Sequence, residues 1–162
     1  MNLLDNSEQT KELKKNASVL PIITYPHPIL RQKTENISDP RDPHIQKLIQ
    51  SMMITMQSNN GLGLAAPQVN YSKNLCLVDY QDKIYILINP KITSHSQTKS
   101  LDEEGCLSFP GKFLKIERYD KITVRYLDQF GKKRKLKASG LLARALQHEV
   151  DHLQGKLFID YV

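Results

Sequence analysis

The stretch best equipped for chemistry is His148-Glu149-Val150-Asp151-His152. On a helix, residues four apart stack on one face, so His148 and His152 can aim two imidazoles at one metal ion. Glu149 sits close enough to reach a water on that ion without being a ligand itself. The pattern is that of metal-assisted hydrolysis: the metal draws the pKa of its water towards neutrality, and the carboxylate takes the proton. The same five residues also occur by chance on surface helices. Here, however, Leu141, Leu142, Ala145, Leu146 and Leu153 make the helix mostly apolar. A buried helix with two histidines and two acids needs partners for those groups, and a metal supplies most of them at once.

A third ligand is then required. Ten residues remain after His152, and Asp160 is the sole candidate among them. The ligand is therefore expected upstream, at Cys106 in Glu104-Gly105-Cys106-Leu107-Ser108, a segment whose glycine lets backbone approach a ligand closely. Cys76 lies in the apolar run Leu75-Cys76-Leu77-Val78 and reads as a small buried hydrophobe. His27, between two prolines, and His44 and His95, in polar contexts, read as surface or turn residues. One thiolate and two imidazoles leave a fourth position open for water.

The elements that must position these groups follow from periodicity. Residues 1–19 are polar and lysine-rich and read as a loose, flexible extension, with a frayed helical turn around Lys11 to Lys15; residues 20–162 form one domain. Three prolines between Pro21 and Pro28 exclude a regular helix there. Asp42-Pro43 offers a capped helix start, and Ile45, Leu48, Ile49, Met52, Met53 and Met56 follow at spacings of three and four. This predicts a helix over 43–58, ended by Asn59-Asn60-Gly61. Strands are expected at Leu75–Val78 and Ile84–Ile88 around a turn at Tyr80–Asp82, then at Ile116–Glu117, Lys121–Asp128 and Lys133–Lys137. The metal-binding helix spans Ser139-Gly140 to about Gln154, with Gly155 as its stop, and Leu157-Phe158-Ile159 reads as a closing strand. Helix and strand interleave without βαβ regularity, so the class is α+β: short antiparallel strands packed around a central helix that carries the histidines.

Composition narrows the setting. The 162 residues are 40% apolar and 25% charged, with a formal net charge of +6 and pI near 9.3. Two cysteines do not make a disulfide framework, no apolar run could span a bilayer, and the N-terminus has neither a signal core nor the arginines of a transit peptide. A reducing, cytoplasmic setting follows, with no membrane. The basic run Lys132 to Lys137 reads as a solvated hairpin, and nothing accompanies it that resembles specific nucleic-acid recognition.

With these residues in place, the sequence resembles the peptide deformylases. Three blocks carry the likeness: Gly61-Leu62-Gly63-Leu64-Ala65-Ala66-Pro67-Gln68, Glu104-Gly105-Cys106-Leu107-Ser108 and Gln147-His148-Glu149-Val150-Asp151-His152. Weaker likeness runs through Tyr25 to Arg31 and Leu157 to Tyr161. The resemblance implies removal of the N-formyl group from the initiator methionine of new polypeptides, releasing formate. It implies Cys106, His148 and His152 as metal ligands and Glu149 as catalytic base. It implies one divalent metal, ferrous iron (Fe2+) in the cell, with zinc (Zn2+), nickel or cobalt in purified material. By the same resemblance, the Gln68 side-chain amide and the Leu107 backbone N–H hold the formyl oxygen as it becomes an oxyanion. The Leu62–Gly63 backbone lines the peptide as an added strand. Leu62, with Leu141 and Ala145 on the His148 face of the helix, forms the methionine pocket. Arg144 is placed at the pocket rim or in a salt bridge. Glu104 and Asp151 either orient a ligand histidine and anchor the loop or make ordinary surface pairs. Many bacterial members continue beyond the position of Val162 with a C-terminal helix implicated in ribosome docking, which weakens the expectation of ribosome contact by that route and leaves transient contact through the basic Lys132 to Lys137 hairpin as the substitute. A metalloprotease is the competing enzyme class, disfavoured by the missing downstream ligand. A non-catalytic relative is disfavoured because every catalytic position is filled.

Overall fold

The structure is a computed structural model, and it describes residues 16–162. The helical turn expected around Lys11 to Lys15 lies outside these residues. From Ser18 the chain is docked: the amides of Ser18 and Leu20 donate to Ser51 Oγ (3.3 Å) and Thr55 Oγ1 (2.9 Å).

Among the described residues, seven strands and two long helices make up the fold. The first helix, α1, is Pro43–Ser58, as its sequence predicts. Asp42 caps it by accepting from the His44 amide at 2.8 Å, and Pro43 occupies the first turn, where a missing N–H costs nothing. It ends in a Schellman turn. The Gly61 amide donates to Met56 O and the Asn60 amide to Gln57 O. The residue that takes the left-handed conformation is Asn60 (φ 52°), not the glycine after it.

A five-stranded antiparallel sheet has the order β1-β2-β3-β6-β7, from β1 (Gly63–Ala65), β2 (Leu75–Tyr80), β3 (Lys83–His95), β6 (Lys121–Leu127) and β7 (Lys133–Ser139). The β2–β3 turn holds Gln81 and Asp82 at φ 50° and 61°, the pairing of positive φ values that matches hairpin twist. Strand β2 is buried on both faces. Leu75 and Leu77 join Leu48, Ile49, Met52 and Met56 of α1 in one apolar cluster. Cys76 and Val78 join Leu142, Ala143, Ala145 and Leu146 of the second helix, α2 (Gly140–Leu153), in another. The sheet is thus held between two helices, and α2 is the central one.

A separate hairpin, β4 (Lys99–Cys106) with β5 (Phe109–Tyr119), carries the cysteine. A third apolar cluster of Leu30, Phe109, Ile116, Leu157 and Phe158 fastens it to both ends of the domain. The expected α+β class and its central helix are observed. Two corrections apply. The strand signal at Ile116–Glu117 is the end of an eleven-residue strand. The segment expected as a closing strand is a 3-10 turn, Phe158–Tyr161, because Asp160 Oδ2 accepts from the Leu157 amide at 2.9 Å and curls the chain. Among the described residues, no helix is long and apolar enough to cross a membrane.

Candidate metal centre

Helix α2 presents His148 and His152 one turn apart, both buried, and the β4–β5 turn brings Cys106 against them. One donor atom from each of the three lies within 4.8 Å of the others. The two Nε2 atoms are 3.3 Å apart, and Cys106 Sγ is 3.4 Å from His152 Nε2. Helix α2 must stop just beyond His152, and it does so in a Schellman turn: Gly155 N–H donates to His152 O and Lys156 N–H to Asp151 O. Gly155 has φ 74°, and a Cβ there would meet Arg31 O at 2.4 Å, so glycine is required.

The donor set suits a cation. Glu104 Oε1 is 2.8 Å from His148 Nδ1, which directs the His148 lone pair to Nε2 and into the cluster. Burial, together with the charge of His148, pushes His152 well below the usual imidazole range. Burial also opposes charge on His148, but hydrogen bonds with Cys106 and Glu104 and the charge of Glu149 raise it to about 10. One thiol and two imidazoles converging within 4.8 Å form a donor set that a single metal ion can satisfy.

Glu104 is held by a buried ionic network. Arg118 donates to it through Nε (2.8 Å) and a terminal nitrogen (2.9 Å), and Arg144 adds a third contact at 2.8 Å. Burial works against ionisation, yet Arg118 and His148 hold the carboxyl down to about 2. Arg118 reaches on to Asp151 at 2.6 Å, and Asp151 accepts from the Tyr161 hydroxyl at 2.7 Å. Arg144 also donates to Ile116 O and Ser100 O, tying α2 to the hairpin. Of the two placements open to Arg144 in the sequence, the structure shows the salt bridge, although its residue borders the cleft.

Glu149 is 4% exposed, and its Oε2 has no hydrogen-bond partner. Burial pushes its carboxyl up to about 7. Gly63 presses against it so closely that a Cβ would lie 2.6 Å from Oε1. Gln68 is fully buried. Its Oε1 accepts from the Ala65 amide at 2.9 Å, and its Nε2 donates to Ser108 Oγ at 3.1 Å and faces Cys106 Sγ at 3.6 Å. The chain from Ile23 to Tyr25 braces both loops: Ile23 N–H donates to Gln68 O, Ser108 Oγ to Ile23 O, and Tyr25 N–H to Ser108 O.

These groups open onto a cleft of about 540 Å³. Every residue expected to hold the metal, act on the formyl group or receive the substrate lines it except His152, which is buried. Ala145 is buried in its wall, whereas Leu62 and Leu141 are 40% and 50% exposed at its mouth. Cys76 is in the core, where burial pushes its thiol up and out of reach of metal chemistry. Asp160 pairs with Arg31 at 2.7 Å. His27, His44 and His95 are exposed. Arg118 and Phe113 were not foreseen. Phe113 is 64% exposed beside the cleft and gives no sequence signal. Arg118 had one: it lies two residues after the apolar Ile116 on a strand, and so on the same inward face.

A central helix with two histidines, a carboxylate beside them and a thiol from a hairpin has the layout of a single-metal hydrolase. The polypeptide deformylase family model matches residues 19–162, and the chain belongs to that family. It is 46% identical over 150 residues to a peptide deformylase of Thermodesulfovibrio yellowstonii, with 90% of each chain covered. The crystal structure of a peptide deformylase from Ehrlichia chaffeensis matches with a TM-score of 0.84 at 43% identity, over 90% of this chain and 88% of that one. That of Thermotoga maritima matches with a TM-score of 0.86 at 37% identity, over 89% and 97%. A structure of the Ehrlichia chaffeensis protein in complex with actinonin matches with a TM-score of 0.87 at 43% identity, over 90% and 89%. The family and the donor cluster both support a metal cofactor.

Proposed function

We propose that this protein hydrolyses the N-formyl group of N-terminal formylmethionine on newly made polypeptides, releasing formate. The observation that carries the reading is a three-donor cluster beside a buried carboxylate with an unpartnered oxygen, opening on a cleft. Cys106, His148 and His152 would hold one divalent metal, which supplies Lewis acidity and makes water a better nucleophile. Glu149 takes a proton from the attacking water and returns it to the departing amine. The formamide C–N bond breaks, a C–O bond forms, and formate and a free N-terminus leave. Burial raises this carboxyl above the usual carboxylate range in the metal-free protein, which favours a group that both takes and returns a proton.

Gln68 Nε2 already faces the thiol, and with the Leu107 N–H it would stabilise the oxyanion. Loss of one such donor costs about 3 kcal/mol of transition-state stabilisation. Strand β1 is the edge of its sheet, so Gly63 and the backbone at Leu62 offer a free side to which a peptide can add as a strand. Leu62, Leu141 and Ala145 would receive the methionine side chain. Ferrous iron is the proposed metal in the cell, although a thiolate with two imidazoles also suits zinc, nickel and cobalt. The setting is cytoplasmic, and any contact with a ribosome is transient.

A formyl-Met-Ala peptide incubated beside an internally cleavable peptide tests the reaction. Formate from the first with the second intact is expected. Internal cleavage without formate would mean a metalloprotease.

A further inference from the structure

The sheet face that packs on α1 is covered only in part. Leu75, Leu77, Ile84, Ile86, Ile88 and Leu127 belong to the α1 cluster, and no residue of β7 does. Beyond Leu127 the register fixes what this face presents. Lys91 lies opposite Arg125, Arg125 opposite Lys135, Thr123 opposite Lys137 and Leu127 opposite Lys133. Lys121 falls on the same face, two positions before Thr123. All six cations are exposed, and among the described residues none is paired with a carboxylate or stacked on an aromatic ring. Their charge equals the net charge of the whole chain, +6.

Lys91, Arg125 and Lys135 form a row of like charges directly opposed across three strands. Such pairs are destabilising unless counter-charge is supplied from outside. Hydroxyls share this face. A shallow depression of about 490 Å³ at the end of the row is lined by Ser94, Thr123 and Ser139 with Lys121 and Lys137. Ammonium and hydroxyl donors spaced along a twisted sheet are suited to phosphate oxygens. Among the strand residues of this face, only Leu127 at the α1 edge is large and apolar; the exposed Phe130 lies in the β6–β7 turn at one end, a single anchor against six cations.

We propose that this face binds the phosphate backbone of RNA without sequence preference. The choice of RNA rests on the proposed function, since the nascent polypeptides that are its substrates are made on RNA-rich particles. The binding experiment reads no deformylation, so either reading can fail alone.

The test is fluorescence anisotropy with a short mixed-sequence RNA duplex, between roughly 50 and 200 mM salt. The triple variant Arg125→Gln, Lys135→Gln, Lys137→Gln is compared with Lys33→Gln, Lys47→Gln, Lys115→Gln, which removes equal charge elsewhere. The face variant should bind at least tenfold more weakly, with a log K against log salt slope flatter by roughly 2 to 3 units, because each lost cation removes about 0.9. It should keep its formate release, and its melting temperature should be unchanged or slightly raised by relief of the like-charge row. Equal losses in both triples, no RNA binding by the unaltered protein, or tighter binding to anionic phosphatidylserine vesicles than to RNA would each overturn the proposal.

Discussion

Glu104→Gln should cost the metal-free protein about 3 kcal/mol at pH 7. Glu104 is almost fully buried and receives hydrogen bonds from Arg118, Arg144 and His148. Its carboxyl sits at about 2, against an ordinary value of 4.5. Each unit is worth about 1.4 kcal/mol, so the ionised form stabilises the fold by about 3 kcal/mol relative to the neutral one, which glutamine imitates. For a domain of this size that lowers the melting temperature by roughly 6 to 12 °C. The sign follows from the depressed pKa. The contribution is complete above pH 4.5, is lost as pH falls towards 2, and should be down to about 1 kcal/mol at pH 3. Urea melts of both proteins in chelator at pH 7, 5 and 3 read this directly, as a gap that narrows with acid. A gap of the same size at pH 3 as at pH 7 would refute the linkage. No gap at pH 7 would show that the two arginines do not depend on this carboxylate.

Other substitutions separate structural from chemical roles. Glu149→Gln should lower kcat at least a hundredfold, as expected for loss of a general base, while raising metal-free stability at pH 7 by a few kcal/mol, because burial already holds its carboxyl up at about 7; stopped-flow kinetics and urea melts check the two halves. Cys106→Ser should sharply reduce metal per chain by elemental analysis, whereas Cys76→Ser should keep its metal and lose stability, since Cys76 lies in the core away from the cluster. Gly63→Ala should impair turnover more than stability, because the added methyl would fall 2.6 Å from Glu149 Oε1 and displace the base; kcat should fall at least tenfold with the melting temperature within a few degrees.

The site was legible where its chemistry is local. A four-residue spacing put both histidines on one face of α2, and a capping aspartate with a three-and-four apolar pattern placed α1 at about its observed limits. Strand β4 was not legible, because nearly all of it is exposed and it has no apolar alternation to display. Leu157 to Ile159 misled because apolar residues pack equally well from a 3-10 turn, and the decisive contact is the Asp160 side chain returning to the backbone. Arg118 lies 30 residues before His148 and touches it only through Glu104, a relation that exists in space alone. The basic row on β3, β6 and β7 likewise depends on register, which a run of lysines in the sequence does not give.

The account stands most directly on one titration: formate release from formyl-Met-Ala by anaerobically purified protein, measured against metal content as a chelator removes the ion. Release proportional to metal, complete at one ion per chain and absent at none, is the predicted result. Formate released at an undiminished rate by metal-free protein would contradict it.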